Sequence, residues 1–589
     1  MLKRFFITVL GTMAGIWISI VVVMFGGLLL AGAMLAKGGN DSAVEVKKKS
    51  ILYFDLAGEV TERYQPTSFF AMIQNQSKGG GLTLDDMVHA LQAAADDDKI
   101  EGLYLDCNGA AVGTATLEEL LEAIGHFKES GKWVVAYADG YSQGDYLLAS
   151  TAGHLVLNPM GSVDIHGVGA TTPFFKGLLD KLGVKMQIVK VGTFKSAVEP
   201  YILDKMSEPA RLQMQQYVDS IWNFAAGTIA ANRKLSEADI KALAPQMISA
   251  RMGEFFVDSK LADKLEYRRQ IELYLKDLCD LDEDDELRLV APAAYLESRG
   301  NVFNSPSSRK HIAVYYAVGD IVDSGKDGIV GETVVNDIVD LADDENVEGM
   351  VLRVNSPGGS AFASEQIWEA IQYFKSKDKP VYVSMGDYAA SGGYYISCGA
   401  DKIFADRTTL TGSIGVFGMI PDLSGLITDK FGINFSTVQT NPNAAGISLT
   451  EGMTPTQYEA MQKSVEDVYD LFTGRVAAGR GMSQDSVKAI AEGRVWTGGR
   501  AIQLGLVDEL GSLQETIAAM ADELDLDTDR YVQYPLTEQK LWEKLMRQSQ
   551  LDFDMAADLD AETLRALHFV KQLRDASPIQ ARMEYIEVR

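Results

Sequence analysis

The sequence predicts an α/β protein built twice in tandem behind an N-terminal membrane-spanning helix. Three observations carry this reading: short apolar runs alternate with stretches of helical spacing, one half of the chain repeats in the other, and the first residues form a long uncharged segment. With 589 residues and 47% hydrophobic content, the chain has room for several domains with real cores. A formal charge of -28 argues against a phosphate-backbone partner, since nucleic-acid binding relies on clustered Lys and Arg. No nucleic acid, metal or cofactor is expected. Cys107, Cys279 and Cys398 form no C-x-x-C pair, so they read as free, buried small hydrophobes.

Residues 5–36 carry no charged side chain, and about 20 apolar residues suffice to cross a bilayer. The length favours a retained anchor over a cleaved leader. Lys3 and Arg4 flank one side and Lys37 and Lys47 to Lys49 the other, so charge leaves the orientation open.

The repeat is visible at an offset of 247, with Lys99-Ile-Glu-Gly-Leu-Tyr-Leu-Asp-Cys-Asn108 over Asn346-Val-Glu-Gly-Met-Val-Leu-Arg-Val-Asn355. Leu-Leu-Glu-Ala-Ile124 falls on Ile-Trp-Glu-Ala-Ile371 without a gap. Each copy contains apolar runs such as Leu103-Tyr-Leu, Val134-Val-Ala and Leu155-Val-Leu, or Met350-Val-Leu, Val381-Tyr-Val and Lys402-Ile-Phe. Between them lie amphipathic stretches such as Ala363 to Lys375, a pattern of buried, largely parallel strands crossed by helices. The expected division is an anchor and linker over 1–49, a first repeat over 50–280, a polar connection over 281–309, a second repeat over 310–535 and a helical extension over 536–589. Asp282 to Glu286 and Asn304 to Ser308 mark the connection, and Leu541 to Met546 the helical spacing of the extension.

Ser391 lies between the strand-like Val381-Tyr-Val-Ser-Met385 and a helical stretch, followed by two glycines. Such a serine can expose its hydroxyl beside free backbone N–H groups, although an N-cap serine fits the same local motif. Upstream, Asn355-Ser-Pro-Gly-Gly359 can turn sharply, so the amides of Gly359 and Gly392 are candidates for holding an oxyanion. A plain structural turn is the competing account. Of the six histidines none lies between 312 and 567, and no His triad suggests itself. Lys195, in Val191-Gly-Thr-Phe-Lys-Ser-Ala-Val198, sits in an apolar setting where burial favours a neutral amine.

The repeat sharpens these two candidates. Ser391 falls on Gly144, Pro357 to Gly359 fall on Ala110 to Val112, and Lys195 falls on Ala444 at the slightly drifted offset of 249. Each copy lacks what the other keeps, which points to one site shared between the halves.

Taken with Val354 to Ser360, Ser384 to Gly386, Ala390 to Tyr394, Leu410 to Val416, Val191 to Pro200 and Gly493 to Gly499, the chain resembles the long, duplicated form of the signal peptide peptidase A (protease IV) family. The resemblance implies two tandem ClpP/crotonase-like domains and a serine endopeptidase with Ser391 as nucleophile, Lys195 as general base and Ser413 orienting the amine. It further implies a homotetramer held to the bacterial inner membrane and facing the periplasm, with remnant signal peptides as substrates. A hydratase or isomerase of the same fold is the rival, and would need an acidic residue near the oxyanion turn.

Overall fold

Strands buried on both faces need continuous apolar runs, and each run noted above falls on such a strand. The computed structural model describes residues 46–63, 82–300, 309–325, 327–536, 579–583 and the backbone of 587–588. The expected span over 5–36, the stretch 301–308 and most of the C-terminal extension lie outside the described residues. Among the described residues, no helix is long and apolar enough to cross a membrane.

In the first copy, six parallel strands run in the spatial order Lys264–Leu265, His154–Leu157, Trp133–Ala138, Ile100–Ala111, Ser50–Glu59 and Arg288–Val290. In the second copy the corresponding order is Glu509–Leu510, Lys402–Ala405, Val381–Ala390, Val347–Ser356, His311–Val318 and Tyr531–Tyr534, again all parallel. The duplication read from residue spacing is therefore a duplication of topology.

Helices cover the sheets as the spacing requires. Ala361–Lys375 turns Ile367, Ala370, Ile371 and Phe374 into the second core, where they meet Leu352, Val354, Val383 and Met385. In the first, Leu120, Ile124 and Phe127 of Thr114–Glu129 meet Leu103, Leu105 and Ala136. Cys107, Cys279 and Cys398 are free and buried.

Two boundaries differ from the sequence expectation. The strand Arg288–Val290 and the helix Pro292–Ser298, which buries Tyr295 and Leu296, complete the first copy, although both fall in the expected connection. Only three residues pair in that strand, too few for a readable period. Within the expected helical extension, Ile579–Arg582 is a strand that enters a sheet of the second copy.

The copies are tied by buried polar contacts. Arg353 is fully buried and ion-pairs with Glu62 and Glu119 of the first copy, at 3.1 and 2.7 Å. It also donates to Ser384 Oγ, while Asn355 donates to Glu62. Asp406, beside Glu119, is pushed well above the ordinary carboxylate range by burial and then by the Glu119 charge. Asp387 accepts from the Ala115 and Thr116 amides and the Thr116 hydroxyl, capping a first-copy helix from the second copy. Removing the guanidinium would leave two carboxylates buried without their cation. Arg353→Met is expected to cost about 3–5 kcal/mol in urea unfolding, with partial recovery when Glu119→Gln is added.

Candidate active site

A second sheet carries the site. Lys185–Val191 of the first copy pairs antiparallel with Val416–Asp422 of the second, from Val191 opposite Val416 to Lys185 opposite Asp422. The ladder ends at the Val191 and Val416 pair. Lys195 follows one strand by four residues and Ser413 precedes the other by three, so both leave the same end of the ladder.

There the structure brings Lys195, Ser391 and Ser413 together. Lys195 Nζ lies 2.7 Å from Ser391 Oγ, 3.0 Å from Ser413 Oγ and 3.2 Å from the Ser413 carbonyl oxygen. All three are buried, at 1%, 0% and 2% exposure. Ser391 joins the strand Val381–Ala390 to the helix Gly392–Ser397 at φ 57°, ψ -111°, a conformation that costs a non-glycine residue about 1–3 kcal/mol. Its amide donates to the Gly412 carbonyl, which fixes the turn. The N-cap alternative fails on geometry, because the Ser391 side chain makes no capping hydrogen bond. Ser413, at φ 51°, is held by its amide donating to the Arg494 carbonyl.

Gly359 and Gly392 flank this point. Gly359 lies in the short strand Gly358–Ser360, and Gly392 is the first helical residue after Ser391, where amides have no intrahelical acceptor. A Cβ on Gly392 would stand 3.1 Å from the Gly358 Cα, so the turn and the helix start are in close approach.

Several positioning residues escaped sequence reasoning. The Lys195 stem runs between Gly493 and Gly415: a Cβ on Gly493 would stand 2.6 Å from Lys195 Cβ, and one on Gly415 3.3 Å from its Cδ. The Phe194 amide donates to the Glu492 carbonyl, and Gln213 donates to the Phe194 carbonyl and the Ser196 hydroxyl. Arg494 lies over the rings of both Phe194 and Trp496, at 4.7 and 4.2 Å. The matched Gly493 to Gly499 stretch signalled this loop but not its contact with the lysine. Gln213 has no motif, only a buried position on the helix Glu208–Arg233.

The first copy's equivalent point is occupied by Asp145, which the repeat sets over Gly392. Its carboxylate accepts from the Gly109 and Ala110 amides, in the turn that corresponds to Ser356 and Pro357. Burial raises its pKa, against the pull of the Ser142 hydroxyl and the two amides. An anion-binding turn in this copy is thus filled by the chain itself.

The sequence matches Peptidase family S49 twice, over residues 126–282 and 373–527, and Clp protease over 321–413. Protease 4 of Haemophilus influenzae is 36% identical, covering 84% of this chain and 83% of its own length, and Protease 4 of Salmonella typhi is 34% identical over 88% and 83%. A putative signal peptide peptidase SppA of Enterococcus faecium is 33% identical over 39% of this chain and 68% of its own length. Two matched domains on two matching sheets, with these relatives along most of the chain, place it in peptidase family S49 as a serine-type peptidase of the signal peptide peptidase family.

Proposed function

We propose that the chain is a membrane-anchored endopeptidase with a Ser391/Lys195 dyad, acting on remnant signal peptides. The 2.7 Å approach of Lys195 Nζ to Ser391 Oγ is the observation that supports the dyad most directly. A neutral amine accepts the serine proton as Oγ attacks the scissile carbonyl. The Ser413 hydroxyl holds the amine so that its lone pair faces Ser391. The amides of Gly359 and Gly392 receive the developing oxyanion, a contribution of about 3–4 kcal/mol per donor. Lys195 then returns the proton to the leaving amine and activates water against the acyl-enzyme.

Residues 5–36 would serve as the anchor, with the catalytic copies on the periplasmic side of a bacterial inner membrane and four chains in the assembly. The uncharged segment supports the anchor, the name of the Enterococcus relative supports the substrate class, and the resemblance to the family supports the assembly and orientation.

Ser391→Ala and Lys195→Ala are each expected to lower kcat on an unstructured apolar peptide by about 10³-fold or more with the fold retained; normal turnover in either would overturn the dyad. Since only the unprotonated amine can take the serine proton, kcat/KM should rise with pH towards a plateau; a falling profile over the same range would exclude a lysine base. Gly493→Ala places a methyl against the Lys195 stem at φ +75°. It should reduce kcat about 10²-fold through displacement of the amine while KM changes little.

A further inference from the structure

Lys195 lies in no strand or helix. Residues 192–198 run between the strand Lys185–Val191 and the helix Glu199–Ile202, so no ladder fixes the backbone that carries the amine. A side chain from the helix Glu208–Arg233 grips it instead. Gln213, itself buried, donates from Nε2 to the Phe194 carbonyl at 3.1 Å and to the Ser196 hydroxyl at 2.8 Å, the residues on either side of Lys195. Its Oε1 accepts from the Val495 amide at 3.3 Å. A glutamine side chain offers two N–H donors and one carbonyl oxygen, and all of them are engaged here.

The far end of this amide reaches the serines. Val495 opens the strand Val495–Thr497, in which it pairs with Gly412. The Gly412 carbonyl receives the Ser391 amide at 2.8 Å, and the carbonyl of Arg494, next to Val495, receives the Ser413 amide at 2.7 Å. Gln213 therefore joins the loop of the lysine to the segment that seats both hydroxyls. The helix presenting it is fixed in both copies. Glu199 accepts from the amide and hydroxyl of its cap Ser207, Met214, Tyr217 and Ile221 share a buried cluster with Ala390, Leu410 and Val495, and Ala226 and Ile229 enter the first core.

Gln213 is also divided between the copies as the lysine is. At the offset of 247, Met206-Ser207 falls on Met453-Thr454, each at a helix start, and Met214 falls on Met461, but Gln213 falls on Ala460. The helix is repeated and the amide is not.

We propose that Gln213 is a positioning residue for the peptidase reaction, setting the reach of Lys195 Nζ toward Ser391 and Ser413 by tying both neighbours of the lysine to the Val495 strand. This rests on the dyad reading above. Without the amide, the Phe194 carbonyl, the Ser196 hydroxyl and the Val495 amide each lose a partner, and the loop shifts to satisfy them. A displacement of about 1 Å at Nζ costs about 10²-fold in rate, because the amine then leaves its 2.7 Å contact with Ser391 Oγ.

The test compares wild type with Gln213→Met, which keeps the volume and removes all three hydrogen bonds, and with Gln213→Asn, which keeps the amide on a stem too short to reach both ends. Lys195→Ala and Ile229→Ala complete the set. Ile229 lies on the same helix, about 24 Å further along, and its truncation removes packing alone. For each chain, kcat and KM on an unstructured apolar peptide are measured across pH, beside urea unfolding. Both Gln213 variants are expected to lose about 10- to 100-fold in kcat with KM within about twofold of wild type, and the pH of half-maximal kcat/KM should move upward as the freed amine gains water. Ile229→Ala, corrected for its folded fraction, should keep that pH. If the Gln213 variants unfold cooperatively and match wild type in kcat and in that pH, the proposal falls and the dyad stands. A fall in kcat with the pH unmoved, as in Ile229→Ala, overturns it equally by assigning Gln213 to packing. Should Gln213→Met fail to fold, Gln213→Asn decides by the same measurements. Normal turnover in Lys195→Ala would instead overturn the dyad reading, and this proposal with it.

Discussion

The arrangement depends on one antiparallel ladder, Lys185–Val191 against Val416–Asp422. Neither strand belongs to the two main sheets with the duplicated strand order, and each comes from a different copy. A ladder fixes register because a slip of one residue turns every side chain to the opposite face. Here a slip would also move Lys195 along the groove by about 3.3 Å relative to Ser413, well beyond hydrogen-bond reach. Arg353 with Glu62 and Glu119, Asp387 with the Ala115 amide, and Glu118, which accepts from the Thr408 amide, add buried contacts between the same two copies. Charge pairs are a costly way to make an interface if any partner is missing, but they tolerate only one docking geometry.

Duplication followed by divergence explains why the copies share a sheet order and not a site. The six-strand order needs apolar runs and crossovers, which both copies retain. The proposed site uses a strained serine, a glycine turn and a lysine set between two glycines, and each of these is present in one copy. At the first copy's counterpart of Gly392, Asp145 ties down the Gly109 and Ala110 amides. A carboxylate there satisfies the donors of a turn whose counterpart in the second copy lies beside Ser391.

Much of this was legible in the sequence because it rests on local pattern. The strands around Leu103, Val134, Met350 and Val381 and the helix over Ala361–Lys375 follow from runs and spacing that need no tertiary information. Ser391 and Lys195 stood out by their local settings, their division between copies followed from comparing one half with the other, and Ser413 followed from the family resemblance; the structure sets Lys195 Nζ within hydrogen-bond distance of both serine hydroxyls. What was not legible depends on contacts between distant segments. Gly493 and Gly415 matter because of the Lys195 stem that passes them, and Gln213 because it ties the Phe194 carbonyl and the Ser196 hydroxyl to its helix. The strands Arg288–Val290 and Ile579–Arg582 were missed because three or four residues carry no period, and their pairing is decided by the edge that receives them.

Burial is the last constraint, and it accounts for the form of the site. A lysine serves as base only where its ammonium is disfavoured, which requires walls on every side, yet a peptidase must admit a peptide. In this structure one wall of the groove is a separate strand. Gly415 and Gly493 close around the aliphatic stem of Lys195, and Ser413 accepts a hydrogen bond from its amine. The remaining wall is a strand between Gly358–Ser360 and Val416–Asp422, a position that the chain's own Ile579–Arg582 fills. Site and groove are assembled around the same ladder: the strand that leads to Lys195 pairs with Val416–Asp422, which pairs on its other side with Ile579–Arg582.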